Sequence, residues 1–142
     1  MLEPGHAYLS FGRIDNGHVA FKQDVFFLAD AAGAQQLYEE YYQADIRAFS
    51  SPNRQYDAQT LVPYRSPYAD AYALVCGYKY LDYCHAFFRY RNYFVVLFLT
   101  PEDRGDGLTY AQMRVVIAAV DAHAAAVLGI PATPPTATPL AP

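Results

Sequence analysis

The chain has 142 residues and a formal net charge of −4, and 54% of its residues are hydrophobic while 17% are charged. This composition predicts one globular domain with its own core and excludes a chain that is disordered throughout. The acidic balance argues against a nucleic-acid-binding module, and because the longest apolar run, residues 93–99, is far short of the roughly 20 residues that cross a bilayer, we expect no membrane insertion.

The N-terminal part of the chain predicts a β-hairpin that leads into a helix. Strand-like residues 7–11 and 18–21 flank Asp15-Asn16-Gly17, a strong tight-turn signal, and the second strand continues to residue 28. Residues 31–49 then carry apolar side chains every three or four positions, which predicts an amphipathic helix with Asp30 as its N-cap. The predicted buried stripe is Ala34, Leu37, Tyr38, Tyr41, Ala44 and Ala48, with Glu39, Glu40, Gln43 and Asp45 facing water.

The middle of the chain predicts a long loop followed by an antiparallel meander. Residues 50–70 contain three prolines and several polar residues, which is typical of a loop. We expect strands at residues 72–77, 83–89 and 93–99, with turns at 79–82 and at 90–92, where Asn92 tolerates a left-handed conformation. The third strand shows no alternation of apolar and polar residues, so we expect it to be covered on both faces or central in the sheet.

A second helix and a proline-rich tail complete the predicted domain. Thr109 and Gln112 form a capping box, and Gly129 with Pro131 marks the helix end. The predicted buried stripe is Met113, Val116, Ile117, Val120, Ala124, Val127 and Leu128. The prediction is therefore an α+β fold at residues 1–129, with an antiparallel sheet of about five strands packed by two helices, and an extended Pro/Thr-rich tail or linker at residues 130–142.

Cys76 and Cys84 lie symmetrically about Tyr80, so a hairpin that turns there would set them opposite each other. A cross-strand disulfide is then plausible, and two buried free thiols are the alternative. We favour the disulfide because a Pro/Thr-rich tail is commonest outside the cytoplasm, where disulfides persist.

The sequence contains no pattern that points to catalysis, a metal or a cofactor. The four histidines have no metal-ligand spacing, and neither a nucleophile elbow nor a glycine-rich phosphate loop occurs. Cys84 and His85 are adjacent on a predicted strand and point to opposite faces, so they cannot form a catalytic pair. We therefore expect a protein that is not an enzyme and that binds no cofactor or metal.

Tyrosine is the unusual residue of this chain, which has 14 of them and no tryptophan. Tyrosines suit half-buried sheet faces, but they also suit interfaces and sites for sugars or aromatic ligands. Arg89 and Arg91 flank a predicted hairpin end, where two guanidinium groups could hold a carboxylate or phosphate, although an ordinary polar turn with partners such as Asp70 or Asp82 is the alternative. The predicted ligand-binding residues are Tyr64, Tyr68, Tyr72, Arg89 and Arg91.

Two segments carry a resemblance to secreted bacterial α+β domains. Residues 25–34 (VFFLADAAGA) look like a strand that enters an alanine-starting helix, and residues 88–96 (FRYRNYFVV) look like an arginine-asparagine turn before a central strand. With the final helix, they resemble the extracellular sensor domain of mycobacterial PknH-type kinases and similar lipoproteins over most of residues 5–129. The chain lacks the tryptophan-cysteine segment and second disulfide of the kinase-type domain. The resemblance implies a periplasmic or surface domain that binds a ligand or partner, with no catalytic residues to transfer.

Two functions follow as hypotheses. The first is a non-catalytic extracytoplasmic binding or sensor-like domain, with a tyrosine-lined pocket between the sheet and residues 50–70 for a small ligand or protein partner. The second is a self-assembling surface protein, in which strand edges and the proline-rich tail make contacts between subunits of a homo-oligomer or polymer. Both place the protein outside the cytoplasm or at the cell surface, although we identify no secretion signal in the chain.

Overall fold

A computed structural model describes residues 5–11, 21–49, 55–56, 58–78, 82–101 and 107–133. It contains the strands β1 (Gly5–Phe11), β2 (Phe21–Phe27), β3 (Gln55–Tyr56), β4 (Ala71–Tyr78), β5 (Asp82–Tyr90) and β6 (Tyr93–Leu99). The helices in these ranges are α1 (Ala31–Phe49), α2 (Ala58–Leu61) and α3 (Tyr110–Leu128). The predicted turns at residues 15–17 and 79–82 fall wholly or largely outside the described residues, as does most of the predicted tail.

The strands form one antiparallel sheet in the order β1-β2-β6-β5-β4-β3. The α+β class, the first hairpin pairing and the meander β4-β5-β6 are confirmed. The predicted number of elements is slightly wrong, because residues 50–70 are not one long loop. They contain the two-residue edge strand β3 and the short helix α2, whose propensity signals are too brief to recognise in a proline-containing segment.

Helices cover both faces of the sheet, so the fold has three layers. Side chains alternate between faces along each strand, and on one face Phe87, Phe94 and Val96 pack with Tyr38 of α1. On the other face Phe88 and neighbouring strand residues pack with Met113 and Ile117 of α3. Strand β6 lies inside the sheet between β2 and β5, which confirms the position predicted from its continuous apolar sequence.

Helix α1 begins and ends where the sequence predicts, but its buried face is shifted. The Asp30 carboxylate accepts a hydrogen bond from the Gly33 N–H at 2.7 Å, which confirms the N-cap. Ala44 and Ala48 are exposed, whereas Asp45, predicted to face water, is half-buried and contacts His85. The small alanine side chains carry little weight in packing, so the larger residues on the adjacent side of the helix set its orientation.

Helix α3 confirms the predicted capping at both ends. Thr109 and Gln112 exchange side-chain to backbone hydrogen bonds, and Gly129 adopts a left-handed conformation with φ 67°. Val127, predicted to be buried, is 71% exposed, because the buried positions of α3 are Met113, Ile117, Asp121 and Ala125, and Val127 lies outside this stripe. With a mean hydropathy of 1.4, α3 is long and apolar enough to cross a membrane by length and composition, a test that the core helices of soluble proteins also pass.

The predicted disulfide is confirmed. Cys76 and Cys84 are direct partners in the β4–β5 register, and their sulfur atoms are bonded. At the turn between β5 and β6, Arg91 and not Asn92 takes the left-handed conformation, with φ 55°. Asn92 has a different role, because its amide donates a hydrogen bond to the carbonyl oxygen of Leu28 and so ties the turn to the end of β2.

Candidate functional site

A fully buried carboxylate lies between α3 and the sheet. Asp121 has no exposed surface, and each of its oxygens accepts a hydrogen bond from a tyrosine. The Tyr90 hydroxyl donates to Oδ1 and the Tyr64 hydroxyl donates to Oδ2, both at 2.5 Å. A buried carboxylate is costly unless it is hydrogen-bonded, so these two donors are what makes its position tolerable.

Three separate parts of the chain supply this cluster. Asp121 follows Met113 and Ile117 at steps of four residues, so it lies on the same side of α3 as the core residues. Tyr90 ends β5 on the sheet face that α3 covers, and Tyr64 follows α2 in the segment before β4. The cluster therefore joins the helix, the sheet and the intervening segment at one point.

The tyrosines of the cluster stay protonated. Burial raises the pKa of Tyr90 far above its usual value, and its hydrogen bond to the Asp121 carboxylate adds to the increase. Burial also raises the pKa of Tyr64 and that of the neighbouring Tyr72, and the Asp121 carboxylate adds to both increases. Hydroxyls of this kind act as hydrogen-bond donors and not as bases near neutral pH, so the cluster fits a structural or binding role better than proton transfer.

A cavity of about 730 Å³ lies next to this cluster, at the edge of the sheet beside β4. Tyr64 belongs to both, because its ring lines the cavity while its hydroxyl binds Asp121. The rings of Tyr64 and Tyr72 meet edge to face, with centroids 5.3 Å apart and planes at 83°. The lining residues are Gln59, Tyr64, Arg65, Ser66, Pro67, Ala69, Asp70, Ala71, Tyr72 and Thr133.

Some polar groups of the cavity already form hydrogen bonds within the protein, and others do not. The Ser66 hydroxyl accepts hydrogen bonds from the N–H groups of Tyr68 and Ala69, and the Asp70 carboxylate accepts one from the Arg91 N–H. Gln59 and Arg65 are exposed, and neither side chain bonds to any other part of the chain that the structure describes. These two groups are therefore free to bind a ligand.

The hydroxyl of Tyr72 also forms no hydrogen bond with the described residues. Its oxygen atom is buried. A buried hydroxyl without a hydrogen-bond partner lowers the stability of the fold by about 1–3 kcal/mol. The ring itself is well held, because it also packs against Phe88 at a centroid distance of 5.1 Å.

The structure brings together two of the five predicted ligand-binding residues. Tyr64 and Tyr72 line the cavity, whereas Tyr68 packs against the core and is not among the lining residues. Arg89 shares a sheet face with Phe87, on the α1 side, and its Nη1 lies 3.7 Å from Asp70. Arg91 is exposed at the turn. The two arginines thus have Asp70 as their common neighbour, as the alternative interpretation of a polar turn expects.

A second polar pair lies on the opposite face. The His85 Nδ1 and the Asp45 Oδ2 are 2.6 Å apart, and both side chains are 17% exposed. The His85 ring also meets that of Phe98 edge to face at 4.8 Å. Because the pair joins β5 to α1, its geometry fits helix docking. Across the described ranges, no group of three or more potential ligating side chains is placed to hold a metal ion.

The sequence alone does not indicate that Asp121, Tyr90, Gln59 and Arg65 belong to this region. A signal for Asp121 existed, because it continues the four-residue spacing of Met113 and Ile117 in an otherwise apolar helix. A charged residue at such a position indicates either an exposed face or a buried polar cluster, and local sequence does not distinguish them. Comparisons with protein-family models, with curated proteins and with solved structures each find no match. The resemblance to PknH-type sensor domains consequently stays a prediction.

Proposed function

We propose that this protein is a non-catalytic binding domain whose ligand site is the cavity beside Tyr64 and Tyr72. The observation that carries the proposal is the combination of two aromatic walls with two unpartnered polar side chains, Gln59 and Arg65, at one cavity. The volume of about 730 Å³ lies within the range of small-molecule sites, about 300–1,000 Å³.

The chemistry of the lining indicates the class of ligand. The faces of tyrosine rings pack against flat or ring-shaped apolar surfaces, such as those of sugars and aromatic groups. The Arg65 guanidinium is suited to a carboxylate or another oxygen acceptor, and the Gln59 amide offers a donor and an acceptor. We propose a small organic ligand that combines a ring with an oxygen-bearing polar group.

The aromatic wall is held in place before any ligand binds. The Tyr64 ring cannot rotate freely, because its hydroxyl is bonded to Asp121, and the Tyr72 ring packs on Phe88. A wall that is already ordered loses little conformational freedom on binding, so more of the contact energy remains as affinity. This rigidity supports a binding site over an incidental surface depression.

A location outside the cytoplasm is part of the same proposal. The Cys76–Cys84 disulfide supports it, because disulfides persist in oxidising compartments and are rare where thiols are kept reduced. In such a compartment the domain would bind a small molecule or the exposed part of a partner that presents the same chemistry.

A ligand screen on the full chain tests this function. Isotope-labelled protein is titrated with a library of sugars, sugar acids and aromatic carboxylates, and binding is followed through the NMR signals of the Gln59 and Arg65 side chains. We expect hits that shift these signals and whose affinity falls about tenfold or more in Arg65→Ala, as loss of a charged hydrogen bond predicts.

The matched control is Arg114→Ala, which removes an exposed arginine of α3 that does not line the cavity. Its affinity for the hits should equal that of the unmodified chain. Hits that bind both variants equally, or a library with no hit that shifts the cavity signals, would contradict the proposal.

A further inference from the structure

Asp70 gives the cavity a negative charge in addition to the positive charge of Arg65. Its side chain lines the cavity and is 48% exposed. The backbone holds this residue in place, because the Asp70 N–H donates to the Arg89 carbonyl oxygen at 2.8 Å and the Arg91 N–H donates to the Asp70 Oδ2 at 2.7 Å. Among the described residues, no group donates a hydrogen bond to the Asp70 Oδ1. This second oxygen is therefore available to a ligand that carries a donor.

The electrostatics around Asp70 favour a cation. The Arg89 Nη1 lies 3.7 Å from the Asp70 Oδ2, which is beyond hydrogen-bond distance, so this ion pair leaves the carboxylate partly unmatched. Asp121 adds a second negative charge next to the cavity. It is fully buried, its two donors are uncharged tyrosine hydroxyls, and no cation of the described residues pairs with it. A buried charge is screened less than one in water, so Asp121 also attracts a positive group at the cavity wall.

Both charges belong to the short segment that also carries the aromatic wall. Arg65 and Asp70 are five positions apart and lie between Tyr64 and Tyr72 in the sequence, and all four residues line the cavity. A guanidinium binds a carboxylate, and a carboxylate binds an ammonium group. The faces of tyrosine rings pack against apolar rings and also attract cations. A ligand that matches all of these groups carries a carboxylate, a protonated amine and a ring.

We propose that the cavity binds a zwitterion that bears a ring, of which the aromatic α-amino acids are the simplest class. The inference rests on the proposed function and deepens it, because it adds an ammonium site at Asp70 to the carboxylate site at Arg65. The ammonium group donates to the Asp70 Oδ1, and the ring packs against Tyr64 or Tyr72. A ligand that lacks the ammonium group leaves the Asp70 carboxylate without a matching charge, so Asp70 determines specificity.

Two matched pairs of compounds test this inference on the full chain. Phenylalanine is compared with 3-phenylpropanoic acid, and tyrosine with 3-(4-hydroxyphenyl)propanoic acid; within each pair only the amino acid carries an ammonium group. Binding is followed through the NMR signals of the Gln59 and Arg65 side chains. We expect each amino acid to bind about tenfold more tightly than its deaminated analogue, as one charge-assisted hydrogen bond predicts. In Asp70→Asn, which keeps an oxygen for the Arg91 N–H, this difference should disappear while the analogues keep their affinity.

The matched control is Glu40→Gln, which removes one negative charge at an exposed position of α1 that does not line the cavity. It should leave all four affinities unchanged. Equal affinities within each pair, equal effects of Asp70→Asn and Glu40→Gln, or no binding by any of the four compounds would overturn the inference. Loss of the analogues as well from Asp70→Asn would assign Asp70 a structural role and also overturn it. If other hits of the ligand screen still depend on Arg65, the proposed function stands while the inference fails.

Discussion

Replacement of Tyr90 by phenylalanine tests the role of the buried Asp121 cluster. The substitution removes only the hydroxyl that donates to Oδ1 at 2.5 Å and leaves the ring, which stacks near Phe88, in place. A hydrogen bond to a charged group contributes about 1.5–3 kcal/mol, and the upper half of that range applies because both partners have no exposed surface. We expect Tyr90→Phe to lower the free energy of unfolding by about 2–3 kcal/mol.

Two neighbouring tyrosines provide matched comparisons. Tyr64→Phe removes the other donor to Asp121, and we expect about 1–2 kcal/mol because Tyr64 is only half-buried and water can replace part of its bond. Tyr72→Phe removes a buried hydroxyl that has no partner among the described residues, so this variant should be as stable as the unmodified chain or slightly more stable. The expected order of stability is thus Tyr72→Phe, then Tyr64→Phe, then Tyr90→Phe.

The assay is guanidinium unfolding followed by circular dichroism, with the disulfide kept oxidised. An unchanged dependence on denaturant with a shifted midpoint would show that stability alone has changed. In an Asp121→Ala background, the Tyr90→Phe substitution should cost less than about 0.5 kcal/mol, because its partner is gone. A Tyr90→Phe variant within about 0.5 kcal/mol of the unmodified chain, or an equal loss with and without Asp121, would refute the reasoning.

Three further predictions concern the disulfide, one glycine and alkaline pH. Replacing Cys76 and Cys84 by serine should lower stability by about 2.5 kcal/mol, the loop-entropy value for nine residues, and unchanged guanidinium unfolding would contradict this. Gly107→Ala should lower the melting temperature by several degrees, since its Cβ would lie 2.0 Å from the Pro101 carbonyl oxygen; an unchanged melting temperature would show that the turn adjusts. Burial raises the pKa of Tyr38 from 10.0 to about 12. The contribution of Tyr38 to stability is therefore complete below pH 10 and falls by about 1.4 kcal/mol per pH unit between pH 10 and 12. In Tyr38→Phe, the free energy of unfolding should decrease less steeply with pH over this range. An equal dependence on pH in both proteins would refute the raised pKa of Tyr38.

The sequence predicts the parts of the fold that depend on local pattern. Helix α3 is bounded by a capping box and a glycine, and β6 is recognisable from its uninterrupted apolar run. The register of β4 and β5 follows from the symmetric position of the two cysteines about Tyr80. In each case the pattern lies within a few neighbouring residues, so it can be recognised without knowledge of the tertiary structure.

The candidate site depends on contacts between distant residues, which is why the sequence predicts it only in part. Tyr64 and Asp121 are 57 positions apart, and nothing local indicates that they meet. Strand β3 exists only because it pairs with Gly77 and Cys76 of β4. The abundance of tyrosine draws attention to residues 64–72, and a ligand site there stays a prediction. Nothing in the sequence indicates that Arg65 lines the cavity whereas Arg89 lies beside Asp70.

A crystal structure of the full chain with the tightest ligand from the screen tests the central claim most directly. The account predicts that the ligand lies in the cavity, with its ring against Tyr64 or Tyr72 and its polar group within hydrogen-bond distance of Arg65. The Tyr64 hydroxyl should remain bonded to Asp121. A ligand bound at another surface, with the cavity between these side chains unfilled, would contradict the claim.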